Sequence, residues 1–336
     1  MDVDARLARA IAALAGEAID RRVSGVSGLW GGGSTRLFVR VDLEGGGSVV
    51  AMHAPRGTDE WGHASFVELR GLLESRGIRV PRLLGASHSE GLILVEDLGD
   101  DTLARHVERH PSAREALYRA AAVDLARAQS SLAELPEQSL ARRRAFDRAL
   151  LEREIDHFRE WALDARGVTL SGDERAGFAS AARWLAGFIA DWPRGFVHRD
   201  YQSRNLMVET TPAGPRLAWI DFQDALQGPR VYDLVALLAD SYQSLEPELV
   251  QARLDEYAVA AGVAAPERLR FEFDLVTVQR KLKDAGRFIY FDRVTQNPSF
   301  LPFVEPSVRR VRRALERLGG ISELEPLAAG LARWFP

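Results

Sequence analysis

Three oxygen-bearing side chains, Asp200, Asn205 and Asp221, stand at intervals that suit the transfer of a phosphoryl group. That reaction needs a carboxylate to orient an acceptor hydroxyl and take its proton. It also needs hard oxygen ligands that hold Mg²⁺ against the phosphates of a nucleotide such as ATP. Asp200 fits the base, the catalytic residue, while Asn205 and Asp221 fit the metal ligands. Val208 and the apolar run Leu217–Ile220 read as two short strands about a turn over Glu209–Pro215, so Asn205 and Asp221 fall at one end of a hairpin. Singly, each residue has a plainer reading: Asp200 capping a turn, Asn205 satisfying loop backbone, Asp221 ending a strand. The three together, with apolar strands in place, form a specific pattern.

The elements that must position these residues can be read in order. Residues 1–20 place Leu7, Ala10, Ile11, Leu14 and Ile19 at helical spacing. Residues 26–55 predict three strands, one ending near Trp30, one over Arg36–Leu43 and one over Val49–His53. Gly31-Gly32-Gly33 makes the first turn and Gly45-Gly46-Gly47 the second. Glycines let a backbone approach a phosphate, and Ser34, Thr35 and Arg36 offer donors beside them, so Gly31–Arg36 is a candidate nucleotide loop. The alternative is an ordinary glycine-rich hairpin, because the loop lacks a full G-x-G-x-x-G. Residues 61–77 predict a helix with Phe66, Leu69, Leu72 and Leu73 on one face, stopped by Gly77. Leu92–Leu98 reads as a buried strand. From about residue 101 the pattern is helical: 112–134, 140–165 and 173–191, with a loop at Leu135–Ser139. Gly228-Pro229 turns the chain into a helix that opens with Asp233 near its positive end, and 245–336 is mostly helical. The plan is α+β and bilobal: a small N-terminal antiparallel sheet lobe over 1–98, a larger mainly helical lobe over 99–336, and chemistry at their junction.

Composition narrows the functions. A chain of 336 residues with 46% hydrophobic and 27% charged residues is an ordinary globular protein, long enough for two lobes. A net charge of -4 argues against general nucleic-acid or anionic-membrane binding. The absence of cysteine excludes disulfides, thiolate metal sites and a cysteine nucleophile. The first residues carry acids where a signal peptide needs basic groups, and no apolar run approaches the ~18 residues of a membrane span, so a cytoplasmic location is expected. Neither G-x-S-x-G nor H-E-x-x-H occurs, which disfavours hydrolase chemistry. The only lysines are Lys281 and Lys283; every other basic residue apart from histidine is arginine.

His198-Arg199-Asp200 followed by Asn205 has the H-R-D-x-x-x-x-N spacing of kinase catalytic loops. With GGGSTR, LILVEDLG, FVHRDYQSRNLMV, WIDFQDA and YDLVALL in order, nearly the whole chain resembles the aminoglycoside phosphotransferase and choline kinase family, the small-molecule branch of the protein-kinase-like fold. The resemblance implies ATP as phosphoryl donor, a hinge at Glu96, Asp97 and Leu98 that binds the base, Asp200 as catalytic base, and Asn205 and Asp221 as Mg²⁺ ligands. It also implies a supporting role for Asp233 on the catalytic loop. Within the family the chain is most similar to bacterial anomeric sugar kinases acting on N-acetylmuramate and N-acetylglucosamine, through HRDYQSRNLMV, IDFQDALQGPRVYDLVALLADSY, QRKLKDAGRFIYFDR and NPSFLPF. The acceptor is then a small-molecule sugar, and Arg280, Lys283 and Arg287 become candidate substrate residues; the alternative for this stripe is a solvated helix face. Rival readings are a kinase for an aminoglycoside, choline or another small alcohol, and a nucleotide-binding regulator without catalysis. The chain departs from the kinase pattern at Met52, which stands where kinases carry a phosphate-binding lysine. Arg36 or Arg40 would have to supply that charge, or glycine-rich backbone and Mg²⁺ suffice. The departure leaves Glu68 open between the helix glutamate of kinases and a surface residue.

Overall fold

The structure is a computed structural model that describes residues 3–29, 36–54, 62–212 and 214–335. The chain divides into two compact units, Met1–Thr102 with Asn205–Asp224, and Leu103–Arg204 with Ala225–Pro336. The first unit thus runs four residues past the boundary read at 98 and also takes in the hairpin that begins at Asn205.

In the first unit, helix α1 (Ala5–Ile19) is capped by Asp4, whose carboxylate accepts from Leu7 N at 2.8 Å. It precedes strands β1 (Val23–Leu29), β2 (Leu37–Leu43) and β3 (Ser48–His53), then α2 (Gly62–Ser75), β4 (Leu83–Ser87) and β5 (Leu92–Glu96). The five strands form one antiparallel sheet in the order β1-β2-β3-β5-β4. Period-two alternation sends Val39, Val41 and Leu43 of β2 and Val49 and Ala51 of β3 to one face. There they pack with Leu7, Ile11, Leu14 and Ala15 of α1. The Gly45-Gly46-Gly47 turn between β2 and β3 holds all three residues at positive φ (80°, 97° and 84°), which explains a run of three glycines. The expected Gly31-Gly32-Gly33 turn, with Ser34 and Thr35, lies outside the described residues.

The hairpin of this unit pairs β7 (Leu206–Thr211) with β8 (Gly214–Trp219), so its strands extend further into the turn than the expected Glu209–Pro215 loop. The same unit explains why it belongs here. Trp219 N donates to Arg79 O at 2.8 Å and Val208 N to Asp101 O at 2.7 Å. Arg79 also grips Glu209 through Nη2 and Nε, at 2.7 and 2.9 Å, and donates to Glu96 through Nη1 at 2.9 Å.

The second unit holds α3 (Leu103–Arg109), α4 (Arg114–Ser131), α5 (Leu140–Arg143), α6 (Arg148–His157), α7 (Gly172–Ala190), α8 (Val231–Leu238), α9 (Pro247–Ala260), α10 (Pro266–Thr295), α11 (Val304–Arg317) and α12 (Glu325–Trp334). The expected continuous helix over 140–165 is broken. Arg144, Ala145 and Phe146 leave helical geometry to pair with Gln227, through Phe146 N to Gln227 O at 2.8 Å and Gln227 N to Arg144 O at 2.9 Å. Asp147 then caps α6 through Leu150 N, and α6 runs on into a π-helical turn over Phe158–Leu163. Gln227 lies in β9 (Leu226–Pro229), which pairs with β6 (Arg194–Val197), so Gly228-Pro229 ends a strand rather than making a turn.

Helix α10 spans 30 residues and packs against α6, α8 and α11. It passes close to backbone at Gly286, where an added Cβ would lie 2.6 Å from the His157 carbonyl oxygen and 2.9 Å from Phe158 Cα. Backbone atoms cannot swing away as a side chain can. Gly286→Ala should therefore destabilise the protein by about 1–3 kcal/mol in urea melts, the cost of overpacking. Gly71→Ala in α2, where a Cβ meets nothing within 4 Å, should be neutral or stabilising. Equal stability of the two variants would contradict the close crossing.

Candidate active site

In the second unit the segment leaving β6 carries Asp200. It is held at both ends by buried carboxylates. Asp233, near the start of α8, accepts from His198 N at 2.6 Å through Oδ2 and from Arg199 N at 2.9 Å through Oδ1. Asp240, just past α8, accepts from Ser203 N at 2.9 Å and from the Ser203 hydroxyl. Between them Tyr201 is fully buried and donates to Ala121 O at 3.0 Å, while Gln202 N donates to Asp200 O at 2.9 Å. Arg199 is left at φ 81°, a conformation that costs a non-glycine residue about 1–3 kcal/mol and persists only where its surroundings impose it. Burial pushes the Asp233 carboxyl up, to about 7, against the pull of its amide donors and Arg280. The two amides each address a separate oxygen, an arrangement that the ionised form satisfies.

Helix α10 lies along this loop, and the stripe Arg280, Lys283 and Arg287 does not act as one surface. Arg280 is 1% exposed and donates to Arg199 O at 2.6 Å and to Asp200 Oδ1 at 3.1 Å. Lys283 is half-buried, 3.4 Å from Asp284. Arg287 is exposed, with its guanidinium over the rings of Tyr290 and Phe291 at 4.8 and 4.7 Å. Neither a solvated face nor a uniform anion-reading stripe describes all three. Burial alone would raise the Asp200 carboxyl, but Lys283, Arg280 and Arg199 outweigh it and hold the group below its usual value. Its side chain is 35% exposed, so the carboxylate is charged and within reach of a solute.

In the first unit the hairpin brings Asn205 and Asp221 together. Asn205 Nδ2 stands 3.4 Å from Asp221 Oδ2, and Ile220 N donates to Asn205 O at 3.1 Å. Asp221 is exposed, with φ 64°, a second left-handed non-glycine residue. Gln223, which stands where protein kinases carry glycine, donates to Asp221 Oδ1 at 2.8 Å and so orients the carboxylate. Phe222 turns inward and stacks on Phe66 of α2, centroids 5.1 Å apart. No cluster of three or more histidine, aspartate or glutamate side chains able to hold a metal occurs among the described residues. One carboxylate and one amide suit Mg²⁺, which takes few protein oxygens and fills its shell with phosphate and water.

The remaining described sequence candidates lie in the first unit. Arg40 makes four hydrogen bonds to Asp97 and Asp100, at 2.7 to 3.2 Å. Its charge is thus met by two carboxylates of the Glu96–Asp100 segment. Asp97 also accepts from Ser48 at 2.7 Å and Gly99 N at 2.8 Å, and Glu96 accepts from Arg79 and Arg82. The side chains of Glu96 and Asp97 therefore fix the course of the Glu96–Leu98 segment, and reading a nucleotide base would fall to its main chain. Met52 is 2% exposed inside the sheet, between Phe38 and Ile93. Arg36 is half-buried at the bend before β2, and Glu68 is half-buried on α2.

Two participants carry no signal in the sequence, and a third shows only its charge. Asp240 falls within the stretch YDLVALLADSY, which gives no signal for its partner on a segment 37 residues away. Glu154 accepts from Arg199 at 3.1 Å and from Gln279 at 3.0 Å, but reads as a helix-surface glutamate. Arg280 was singled out for charge alone, and its contact with Asp200 depends on the α10 packing.

Residues 25–271 match the model of the phosphotransferase enzyme family. An N-acetylmuramate/N-acetylglucosamine kinase from Pseudomonas aeruginosa is 34% identical over 293 residues, covering 84% of this chain and 82% of that protein. A kinase of the same name from Neisseria meningitidis is 33% identical over 306 residues, covering 88% and 86%. Among solved structures, a choline kinase from Streptococcus pneumoniae superposes with a TM-score of 0.63 at 16% identity, over 94% of this chain and 99% of that one. An ADP-bound aminoglycoside phosphotransferase gives 0.60 at 14% identity, over 92% and 98%. These two establish a shared protein-kinase-like fold, and no helix among the described residues is long and apolar enough to cross a membrane. With the family model matching most of its length and kinases a third identical to it across their own, this chain belongs to the phosphotransferase enzyme family.

Proposed function

We propose that the protein is an ATP-dependent sugar kinase that phosphorylates the anomeric hydroxyl of N-acetylmuramate or N-acetylglucosamine. The observation that carries this is the 34% identity, over more than four-fifths of both chains, to a kinase named for those two sugars. The chemistry of the site supports it. Asp200, anionic and partly exposed, orients the acceptor hydroxyl and takes its proton. An anomeric hydroxyl is more acidic than an ordinary sugar alcohol, which suits a carboxylate whose basicity neighbouring cations have lowered. Asn205 and Asp221 would hold Mg²⁺, whose contribution when bound is to neutralise charge on the phosphate oxygens. Gln223 and the left-handed backbone at Asp221 keep that carboxylate turned outward. Lys283, half-buried near Asp200, is the cation for the lactyl carboxylate of N-acetylmuramate.

Asp200 works on the acceptor, so Asp200→Asn should lower kcat by at least about 10²-fold while ATP affinity stays nearly unchanged. A variant that keeps most of its turnover would remove Asp200 from this role.

Asp221→Asn should weaken Mg²⁺-dependent nucleotide binding and lower turnover, with partial recovery at high Mg²⁺. Titrating ATP binding and activity against Mg²⁺ checks this, and indifference of both to the ion would refute it.

Transfer to the anomeric oxygen requires that oxygen to carry a proton. The free reducing sugars should be phosphorylated, and the 1-deoxy sugar and methyl glycoside should not. Phosphorylation of the methyl glycoside eliminates the anomeric reading. Lys283→Ala should raise KM for N-acetylmuramate by roughly 10-fold or more, the loss of one charge-assisted hydrogen bond, and much less for N-acetylglucosamine. Equal effects on both sugars would remove the lactyl contact and leave the kinase assignment standing.

A further inference from the structure

The Arg280 guanidinium is engaged on three sides within the second unit. Nη1 donates to the Arg199 carbonyl at 2.6 Å, Nη2 donates to Asp200 Oδ1 at 3.1 Å, and the Tyr232 ring centre lies 4.8 Å from Cζ. Lining a substrate pocket would require exposure, and the residue has almost none. Anchoring the loop is already the work of Asp233 and Asp240, which accept from its amides and the Ser203 hydroxyl, and of its own Tyr201, which donates to the Ala121 carbonyl. What distinguishes Arg280 is its hold on a strained carbonyl and, through the neighbouring arm of the same planar group, on the next residue's carboxylate. Arg199 stands at φ 81°, so small rotations of its peptide would swing Asp200. A rigid fork that takes both the carbonyl and Oδ1 removes that rotation and the rotation of the carboxylate about its own axis. The fork is itself fixed, because Tyr232 backs it and Tyr232 is fully buried against Phe146, centroids 4.3 Å apart.

We propose that Arg280 is a positioning residue for phosphoryl transfer: it straps the Arg199 carbonyl and the Asp200 carboxylate together and sets the direction in which Asp200 meets the acceptor hydroxyl. This rests on the reading of Asp200 as the base. Buried salt bridges add little net stability over apolar packing, so stability does not account for placing this pair on the Asp200 carboxylate. Orientation is different, since a displacement of about 1 Å at a reacting group costs on the order of 10²-fold in rate.

The test is a double-mutant cycle on the full chain. It measures kcat, both KM values, ATP binding and thermal melting for Arg280→Gln, Arg280→Lys, Asp200→Asn and the two double variants. Arg280→Gln should lower kcat by about 10- to 100-fold with both KM values within about 3-fold, and Arg280→Lys should recover part of the loss. In the Asp200→Asn background the Arg280 substitutions should add less than about 3-fold, because the group they position is gone. An undiminished loss in that background overturns the proposal, as does a rise in acceptor KM with kcat kept, which would make Arg280 a substrate ligand. If melting shows that Arg280→Gln does not fold, the Arg280→Lys arm of the cycle decides by the same criterion. Loss of the base reading is seen separately, in the Asp200→Asn single variant retaining its turnover.

Discussion

Two consecutive backbone amides, those of His198 and Arg199, donate to the two oxygens of a single buried carboxylate, Asp233. The two peptide planes that meet at His198 are turned so that both N–H groups reach one carboxylate, and directly after them Arg199 turns the chain with a left-handed φ of 81°. The strain of about 1–3 kcal/mol is comparable to what one hydrogen bond to a charged group contributes, roughly 1.5–3 kcal/mol, so the pair of bonds holds the turn with a margin. Everything else about the catalytic segment follows from that clasp. At the far end Asp240 takes the amide and the hydroxyl of Ser203 on a single oxygen, and Tyr201 is buried between.

The same arrangement explains how α10 carries so much charge in its interior. Arg280, Lys281, Lys283 and Asp284 sit within two turns, and each is answered: Arg280 by Arg199 and Asp200, Lys281 by Asp284 and Ser241, Lys283 by Asp284. Burial pushes Lys281 down, to about 8, while Asp284 is held well below the usual carboxylate range by the cations that surround it. A helix built this way favours one packing, because sliding it by a residue would leave several buried charges without partners.

A chain that uses arginine almost everywhere gains planar forks in return. Arg40 joins Asp97 to Asp100, Arg79 joins Glu209 to Glu96, and Arg280 joins Arg199 to Asp200. Each tie links segments far apart in sequence, and each would be poorer with a lysine. The apolar Met52 in the middle of the sheet is the counterpart: the strand position where kinases bring a lysine is here part of the core.

The spacing of Asp200, Asn205 and Asp221 was legible in the sequence because phosphoryl transfer constrains it locally: a loop, a hairpin and a strand end lie within 22 residues. The three strands over 26–55, the helical character of 101 onward and the hairpin were legible for a similar reason, since hydrophobic period reports local geometry directly. What the sequence could not determine were partnerships set by packing. The break at Arg144–Asp147 exists because Gln227 pairs there, and a four-residue strand carries too little periodicity to announce itself. Arg280 and Arg287 look equivalent as cations one helical face apart, yet one is sealed against Asp200 and the other faces solvent, because the burial of a helix depends on what packs against each turn. Sequence alone therefore determined the chemistry and the order of its parts. Tertiary structure decided which charges are sealed inside and with which partner, and which face solvent, since an ionised side chain in the interior is tolerated only beside the partner that compensates it.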